Sequence, residues 1–293
     1  MPELRILESP SKQKKADRCQ LFMQLTYIEQ WEPKQAHHSL VPRLRGTAFS
    51  KACELVHNSI QLGNKQHLEL DFQESVITQS TDLFNKQFEY CLDKGISFEP
   101  DVDSLVREEL RRVIPQYCKH TPIQHWKSVQ GVEYKWEDYG CRPDLFGIDT
   151  EGDTVIPDIK YKSTLENRYL NSNLAEYKDD AQFLQYNKVY RIVNGLPDDA
   201  LVYSQVILVV GHPFKIHCPK WTYRPETLQM WYTRSQQLTK DIQEIEAGRR
   251  IPAPSLTHKD HFGVCPMKDA CIDFALDEGL MLTKYVKLGR LPE

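Results

Sequence analysis

The sequence predicts an α/β fold: a central mixed sheet flanked by helices, with a helical N-terminal part before it and a helical C-terminal extension after it. Three features point to it. Helical apolar spacing runs through the first part of the chain, short apolar segments bounded by turn residues fill its middle, and a Val-, Ile- and Leu-rich run follows a long proline-free stretch. In order these give helices, a meander of strands, a helix, a further strand and helices again, the layering of an α/β sandwich.

Residues 18–31 carry Leu21, Phe22, Leu25 and Ile28 on one helical stripe. Residues 47–60 follow Gly46 and hold no proline, and residues 101–117 open on acidic residues with Leu105, Leu110 and Val113 at helical spacing and Pro115 near the end. Residues 127–138 alternate loosely. Residues 144–149 and 154–160 are short strands joined by Glu151-Gly152-Asp153, a hairpin turn. Residues 174–193 read as one helix that Asn194-Gly195 stops. The run at 201–210 suits a strand buried on both faces, and 225–248 returns to helix. With no internal repeat and no low-complexity segment, residues 1–293 read as a single domain: 1–120 mainly helical, 121–222 the core sheet and its helix, 223–293 the C-terminal helical extension.

Of the 293 residues, 40% are hydrophobic and 27% charged, the balance of a globular protein with a sizeable core. No apolar run approaches the roughly 20 residues that span a bilayer. Lys12, Lys14 and Lys15 stand where a signal peptide would place its apolar core, so an intracellular, cytoplasmic protein without a membrane partner is expected. The net charge of −4 excludes a nucleic-acid-coating protein, which would be strongly basic. It leaves open an enzyme that works on nucleic acid with bound divalent cations, which supply charge that the count omits. The eight cysteines are scattered, which favours free thiols or metal ligation over disulfides.

The chemistry lies in Cys141-Arg142-Pro143-Asp144-Leu145-Phe146-Gly147, followed by Ile156-Pro157-Asp158-Ile159-Lys160. Alternate side chains of a strand share a face, so Asp158 and Lys160 point together while Ile159 points into the packed side. Across the hairpin, Asp144 can approach Asp158, and a divalent cation with oxygen ligands would relieve their repulsion. Such a cation activates water and polarises phosphate, and Lys160 can orient the nucleophile or offset developing charge. Lys162 lies on the same face and can reach a backbone phosphate or solvent. The alternative is structural: Asp144 caps a turn, and Asp158 and Lys160 form a solvated pair.

These segments resemble the PD-(D/E)xK nuclease superfamily, and within it the RecB-like exonuclease branch that includes CRISPR-associated nucleases. Pro157-Asp158-Ile159-Lys160 looks like P-D-x-K, and Arg142-Pro143-Asp144-Leu145 looks like G-R-x-D-L with Cys141 at the glycine. Gln182-Phe183-Leu184-Gln185-Tyr186 is similar to Q-x-x-x-Y, Arg45-Gly46-Thr47-Ala48-Phe49-Ser50 to G-T-x-x-H, and Ser9-Pro10-Ser11 with Cys19 to an opening S-x-S…C. The resemblance implies Asp144, Asp158 and Lys160 as catalytic residues. It implies Mg²⁺ or Mn²⁺ on Asp144, Asp158 and the Ile159 backbone carbonyl, and DNA contacts from Gln182 and Tyr186. Without it, Tyr186 would be read as packed in the core and Gln182 as solvated.

Two departures stand out. The family's histidine falls at Ser50, with Glu54 and His57 on the same helical face; Glu54 is the preferred replacement ligand, and a surface position for both is the alternative. Many relatives hold an iron–sulfur cluster on four cysteines, of which Cys19, Cys265 and Cys271 fit three positions while Phe262 stands at the fourth. His258, His261 or Cys218 could close such a site, and Cys53, Cys91, Cys118 and Cys141 match nothing; a stable cluster is not favoured.

The expected activity is that of a deoxyribonuclease hydrolysing phosphodiester bonds with metal-activated water. It is an exonuclease or end-processing enzyme for single-stranded DNA or DNA with a free end, in repair or recombination and with a helicase or recombination partner. The alternatives are a catalytically inactive DNA-binding module and an iron–sulfur assembly partner of a helicase.

Overall fold

The computed structural model describes residues 7–35, 40–136, 139–253, 259–260, 263–272 and 276–293. The N-terminal part holds α1 (Pro10–Arg18), α2 (Gln20–Met23), a π turn (Gln24–Ile28) and β1 (Trp31–Pro33). The single helix expected at 18–31 is broken. Cys19 is extended, with φ −160°, and its sulfur accepts the Phe22 N–H to start α2 afresh. Next come α3 (Leu40–Gln61), α4 (Leu70–Asp93) and α5 (Val102–His120). α3 begins earlier than expected because Pro42 is harmless in a first turn, where its N–H would have no helical partner.

The central sheet contains β2 (Ser128–Val132), β3 (Leu145–Ile148), β4 (Thr154–Thr164), β5 (Tyr203–His212), β6 (Phe214–His217) and β7 (Lys220–Trp221). Its order is β2-β3-β4-β5-β6, with β7 also on β5. β4 and β5 are parallel and the other pairs antiparallel, so the sheet is mixed as expected. Between β4 and β5 run α6 (Asn167–Lys178) and α7 (Ala181–Val193), two helices where 174–193 promised one. The Asp180 carboxylate accepts the Gln182 N–H and caps α7, which ends the preceding helix and begins a new axis.

The C-terminal extension contains α8 (Pro225–Glu246), β8 (Lys259–Asp260), β9 (Gly263–Val264), α9 (Lys268–Ile272), α10 (Glu278–Lys284) and β10 (Tyr285–Lys287), which pairs with β1. Among the described residues no helix is long and apolar enough to cross a membrane.

Strand alternation assigns the two faces of the sheet. Ile159, Ile207 and Val209 enter one core with Phe49, Val56, Leu110 and Tyr117 of α3 and α5. Val206, Leu208 and Val210 pack instead around Phe183 of α7, and Ile156 meets Tyr186 and Val189 of the same helix. Each such side chain contributes about 1.5–3 kcal/mol when fully buried. Asp158 and Lys160 therefore share the α7 face with Ile156. On the other face Tyr161 donates to Glu109 at 2.5 Å, and Arg45 pairs with Glu109 at 2.8 Å, tying β4 to α5 and α3. Gly211 makes room for this hydroxyl, since a Cβ there would lie 2.4 Å from it.

α1 is fixed to α7 and α8 by buried amides. Gln13 donates to Glu8 O at 2.6 Å and to Gln185 Oε1 at 3.4 Å, and it accepts the Ser235 hydroxyl at 2.5 Å.

Candidate active site

The β3–β4 turn sets the site. Asp149 Oδ1 accepts the N–H groups of Glu151, Gly152 and Asp153 at 2.9–3.0 Å, and Gly152 takes the left-handed φ of +97° that the turn requires. The register pairs Gly147 with Val155 and Ile148 with Thr154, so continuing it puts Asp144 opposite Asp158. There the ladder changes form. Asp144 Oδ2 accepts the Ile159 N–H at 2.6 Å, a side chain standing in for backbone.

Asp158 is 1% exposed. Its Oδ1 accepts Gln182 Nε2 at 2.6 Å, and its Oδ2 lies 2.5 Å from the Lys160 ammonium without a well-angled hydrogen bond. Lys160 donates to Gln182 Oε1 at 2.8 Å, and Gln182 Nε2 gives its second proton to the Tyr186 hydroxyl at 2.8 Å. One amide from α7 thus spends both its donors and its acceptor in holding the acid and the lysine of β4.

The electrostatics are those of a cluster short of positive charge. Burial, the Asp158 charge and the Glu133 charge hold the Asp144 carboxyl well above the usual range, against the pull of the Ile159 N–H and Lys160. Burial raises Asp158 as well, although Lys160 opposes it. Burial alone would lower Lys160, but Asp158 outweighs it and keeps the ammonium charged. Glu133 is pushed up to about 7, mainly by burial, with Glu54 and Asp158 adding to it against Arg142.

Glu133 did not stand out in the sequence. It sits just past β2 in a left-handed conformation, φ +49°, donates its N–H to Asp144 O at 2.9 Å, and pairs with Arg142 at 2.9 Å. The meander register that pairs Val132 with Leu145 carries the signal, since one step on sets Glu133 against Asp144.

Other expected residues fall as follows. Glu54 pairs with Lys51 at 3.0 Å and reaches the acids through its charge on Glu133. His57 does not share its exposure: it is 1% exposed, bonds the Tyr117 hydroxyl at 2.8 Å, and burial lowers its pKa to about 3. Tyr186, for which the resemblance implied a DNA contact and the residues alone a core position, is 4% exposed and donates to Arg142 O at 2.9 Å, so its ring packs in the core. Lys162 hydrogen-bonds Asn173 of α6.

Cys19, Cys265 and Cys271 come together around Leu21, Leu25, Trp31 and Met267, and burial and the neighbouring cysteines push the Cys271 thiol up to about 11. Phe262, His258 and His261 lie outside the described residues. Cys218 packs in the α3–α5 core instead, which removes it as a fourth ligand.

A second acidic group is geometrically tighter. Asp149, Glu151 and Asp153 offer oxygens within 4.8 Å of one another, a spacing a cation could use. The Lys220 ammonium already lies 2.8, 2.5 and 2.6 Å from them. Burial would raise the Asp149 carboxyl, but Lys220 and the turn N–H groups outweigh it and hold it low. Lys220 bridges all three carboxylates of the turn, as Lys160 faces Asp158 in the other group.

The family model of the PD-(D/E)XK nuclease superfamily matches residues 8–272. This chain belongs to that superfamily. Members use divalent metals, and the carboxylates of this chain could hold one. A solved structure of a proposed exonuclease from Eubacterium rectale is similar over 90% of this chain and 88% of that chain, with 13% identity and a TM-score of 0.46. No curated protein matches the sequence. Within the superfamily match fall all of the acids, the lysine and the amide described above.

Proposed function

We propose that this chain is a metal-dependent deoxyribonuclease of the RecB-like branch, an exonuclease or end-processing enzyme for DNA that is single-stranded or has a free end. The observation that carries the proposal is the junction at Gln182, which holds Asp158 and Lys160 in one hydrogen-bonded unit beside Asp144. A solvated strand pair would have no need of it.

The donor set suits a hard divalent cation such as Mg²⁺ or Mn²⁺: oxygen ligands only, partly or fully buried, with carboxyl pKa values raised mainly by burial. Asp144 and Asp158 would hold it, with the Ile159 carbonyl, Glu133 and Glu54 as candidates for further ligands. When bound, such a cation lowers the pKa of a water and polarises the scissile phosphate. Lys160, kept charged by Asp158, offsets the charge that develops on phosphate. Gln182 fixes the direction of that ammonium, and Tyr186 fixes Gln182.

A catalytically silent DNA-binding role is the second reading, favoured by Ser50 in place of the family histidine; assembly with a helicase through the three-cysteine region is a variant of it. The deciding measurement is cleavage of 5′- and 3′-labelled single and double strands in Mg²⁺, Mn²⁺ or EDTA, with RNA alongside. Metal-dependent shortening of DNA from an end supports the proposal. Binding without product under every condition replaces it by the second reading.

A further inference from the structure

Two residues beyond Lys160 on β4 and one before Gln182 on α7 lies a cavity of about 1350 Å³, larger than the roughly 300–1,000 Å³ of a small-molecule pocket. It begins where β4 leaves the site. Lys162, on the Asp158 and Lys160 face, lines it, and so do Asp180 and Ala181, which immediately precede Gln182. One wall is α1, with Lys14, Lys15 and Arg18; another is α6, with Tyr169 and Tyr177. Small-molecule pockets are mostly apolar with a few placed polar groups. This cavity carries more charge than that: six cationic side chains line it beside its aromatic rings, and Tyr169 is 47% exposed.

That combination fits an unpaired polynucleotide, whose phosphates need cations and whose bases need ring faces to stack on. A duplex hides its base faces in its own stack and gains nothing from the rings. The chain has a net charge of −4, and five acidic side chains line the cavity; three are engaged by cations, Asp180 by Lys14 at 2.7 Å, Glu32 by Arg43 at 2.8 Å and Asp17 by Arg234 at 2.6 Å, and Glu176 and Asp179 are the other two. The α1 wall is also held in place, since Gln13 anchors it to α7, the helix that carries Gln182.

We propose that a single unpaired strand lies in this cavity between α1 and α6 and reaches Asp158 along the face of β4, with Arg18 and Lys162 on its phosphates and Tyr169 on a base. The proposal rests on the nuclease reading and adds the path of the substrate to it.

The test is the affinity of a fluorescein-labelled oligothymidylate in EDTA, measured by anisotropy over a range of salt. Arg18→Glu/Lys162→Glu is expected to bind at least about tenfold more weakly, with a log–log salt slope shallower by about 1.4 for two lost phosphate contacts on a single strand. Tyr169→Ala should lose about fivefold or more, the scale of one stacked base. A duplex closed by hairpins at both ends should bind at least about tenfold more weakly than the single strand. Thermal melting checks each fold, and Arg18→Ala is read in the same way if the double variant is unstable. Folded variants that bind like the wild type, or a closed duplex bound as tightly as the single strand, overturn the path. Metal-dependent cleavage by the wild type is scored separately. Cleavage with unaffected variants leaves the nuclease standing and the path wrong; strand binding through the cavity without product under any metal does the reverse.

Discussion

The Asp144 carboxylate accepts the backbone N–H of Ile159 at 2.6 Å, at the residue between Asp158 and Lys160. A side chain of one strand is thereby set by the backbone of the next, and the distance between the two acids is fixed by strand spacing. Asp144→Asn and Asp158→Asn keep the shape of this arrangement and remove its charge. Each should reduce metal-dependent cleavage to the level seen in EDTA while DNA affinity stays close to wild type, because phosphate binding is separable from metal chemistry. Wild-type cleavage by either variant in a labelled-strand assay would refute the site.

The two lysines of β4 should separate in kinetics. Lys160 is locked between Asp158 and Gln182, whereas Lys162 bonds Asn173 at the edge of the cavity. Lys160→Ala should lose at least about a hundredfold in single-turnover rate, the scale for a charge-stabilising group. Lys162→Ala should act on binding, with a shallower salt dependence. The reverse ranking would show that the wrong lysine has been placed at the phosphate.

Glu133 should leave a signature in the pH dependence of stability. Burial is the main cause of its rise from the ordinary value near 4.5 to about 7. Between these values the folded chain holds a proton that the unfolded chain has released. Its contribution is therefore complete below pH 4.5 and lost as the pH climbs to about 7. His57 works at the other end: burial lowers it from 6.5 to about 3, so its contribution is present above 6.5 and lost as the pH falls. In EDTA, wild type should lose about 1–3 kcal/mol relative to Glu133→Gln between pH 4.5 and 7.5. Urea unfolding at both pH values checks this, and a gain in place of a loss would contradict it.

Lys220→Met distinguishes the two acidic groups. It leaves Asp149, Glu151 and Asp153 without their ammonium, and the fold should lose about 1–3 kcal/mol from those unmatched acceptors. Cleavage rate and its Mg²⁺ dependence should not change. A large shift in the metal requirement would move the metal to the hairpin turn.

The three gathered cysteines fall short of the four ligands that a four-iron cluster takes. Anaerobically purified protein should therefore be folded and contain no stoichiometric iron or sulfide. Several irons per chain, lost together with the fold in Cys265→Ala, would reverse this expectation.

What the sequence made legible was local. Period-two alternation, a Gly152 turn and the spacing of Asp144 from Asp158 are all contained within one hairpin, and the structure pairs those strands as the pattern implies. What escaped was set by contacts between distant segments. The bonding of Gln182 to Asp158 and Lys160 depends on how α7 lies on β4, and the inward turn of His57 depends on Tyr117, on another helix. Two breaks were hidden by helical spacing that persists through them: Cys19 starts a new helix with its sulfur, and Asp180 with its carboxylate. Glu133 needed the register of two strands, and a lone glutamate after a weakly alternating segment carries no mark of it.

The anchoring of Gln13 also bears on the order of assembly. Its partners Gln185 and Ser235 lie 172 and 222 residues further along the chain. A ribosome delivers α1 well before these partners, and contacts of such long range are the slow ones to close. During synthesis the amide of Gln13 is hydrated and α1 has no surface to settle on. α1 is thus seated only after helices made much later, and the α1 wall of the cavity does not exist until α7 and α8 have left the ribosome.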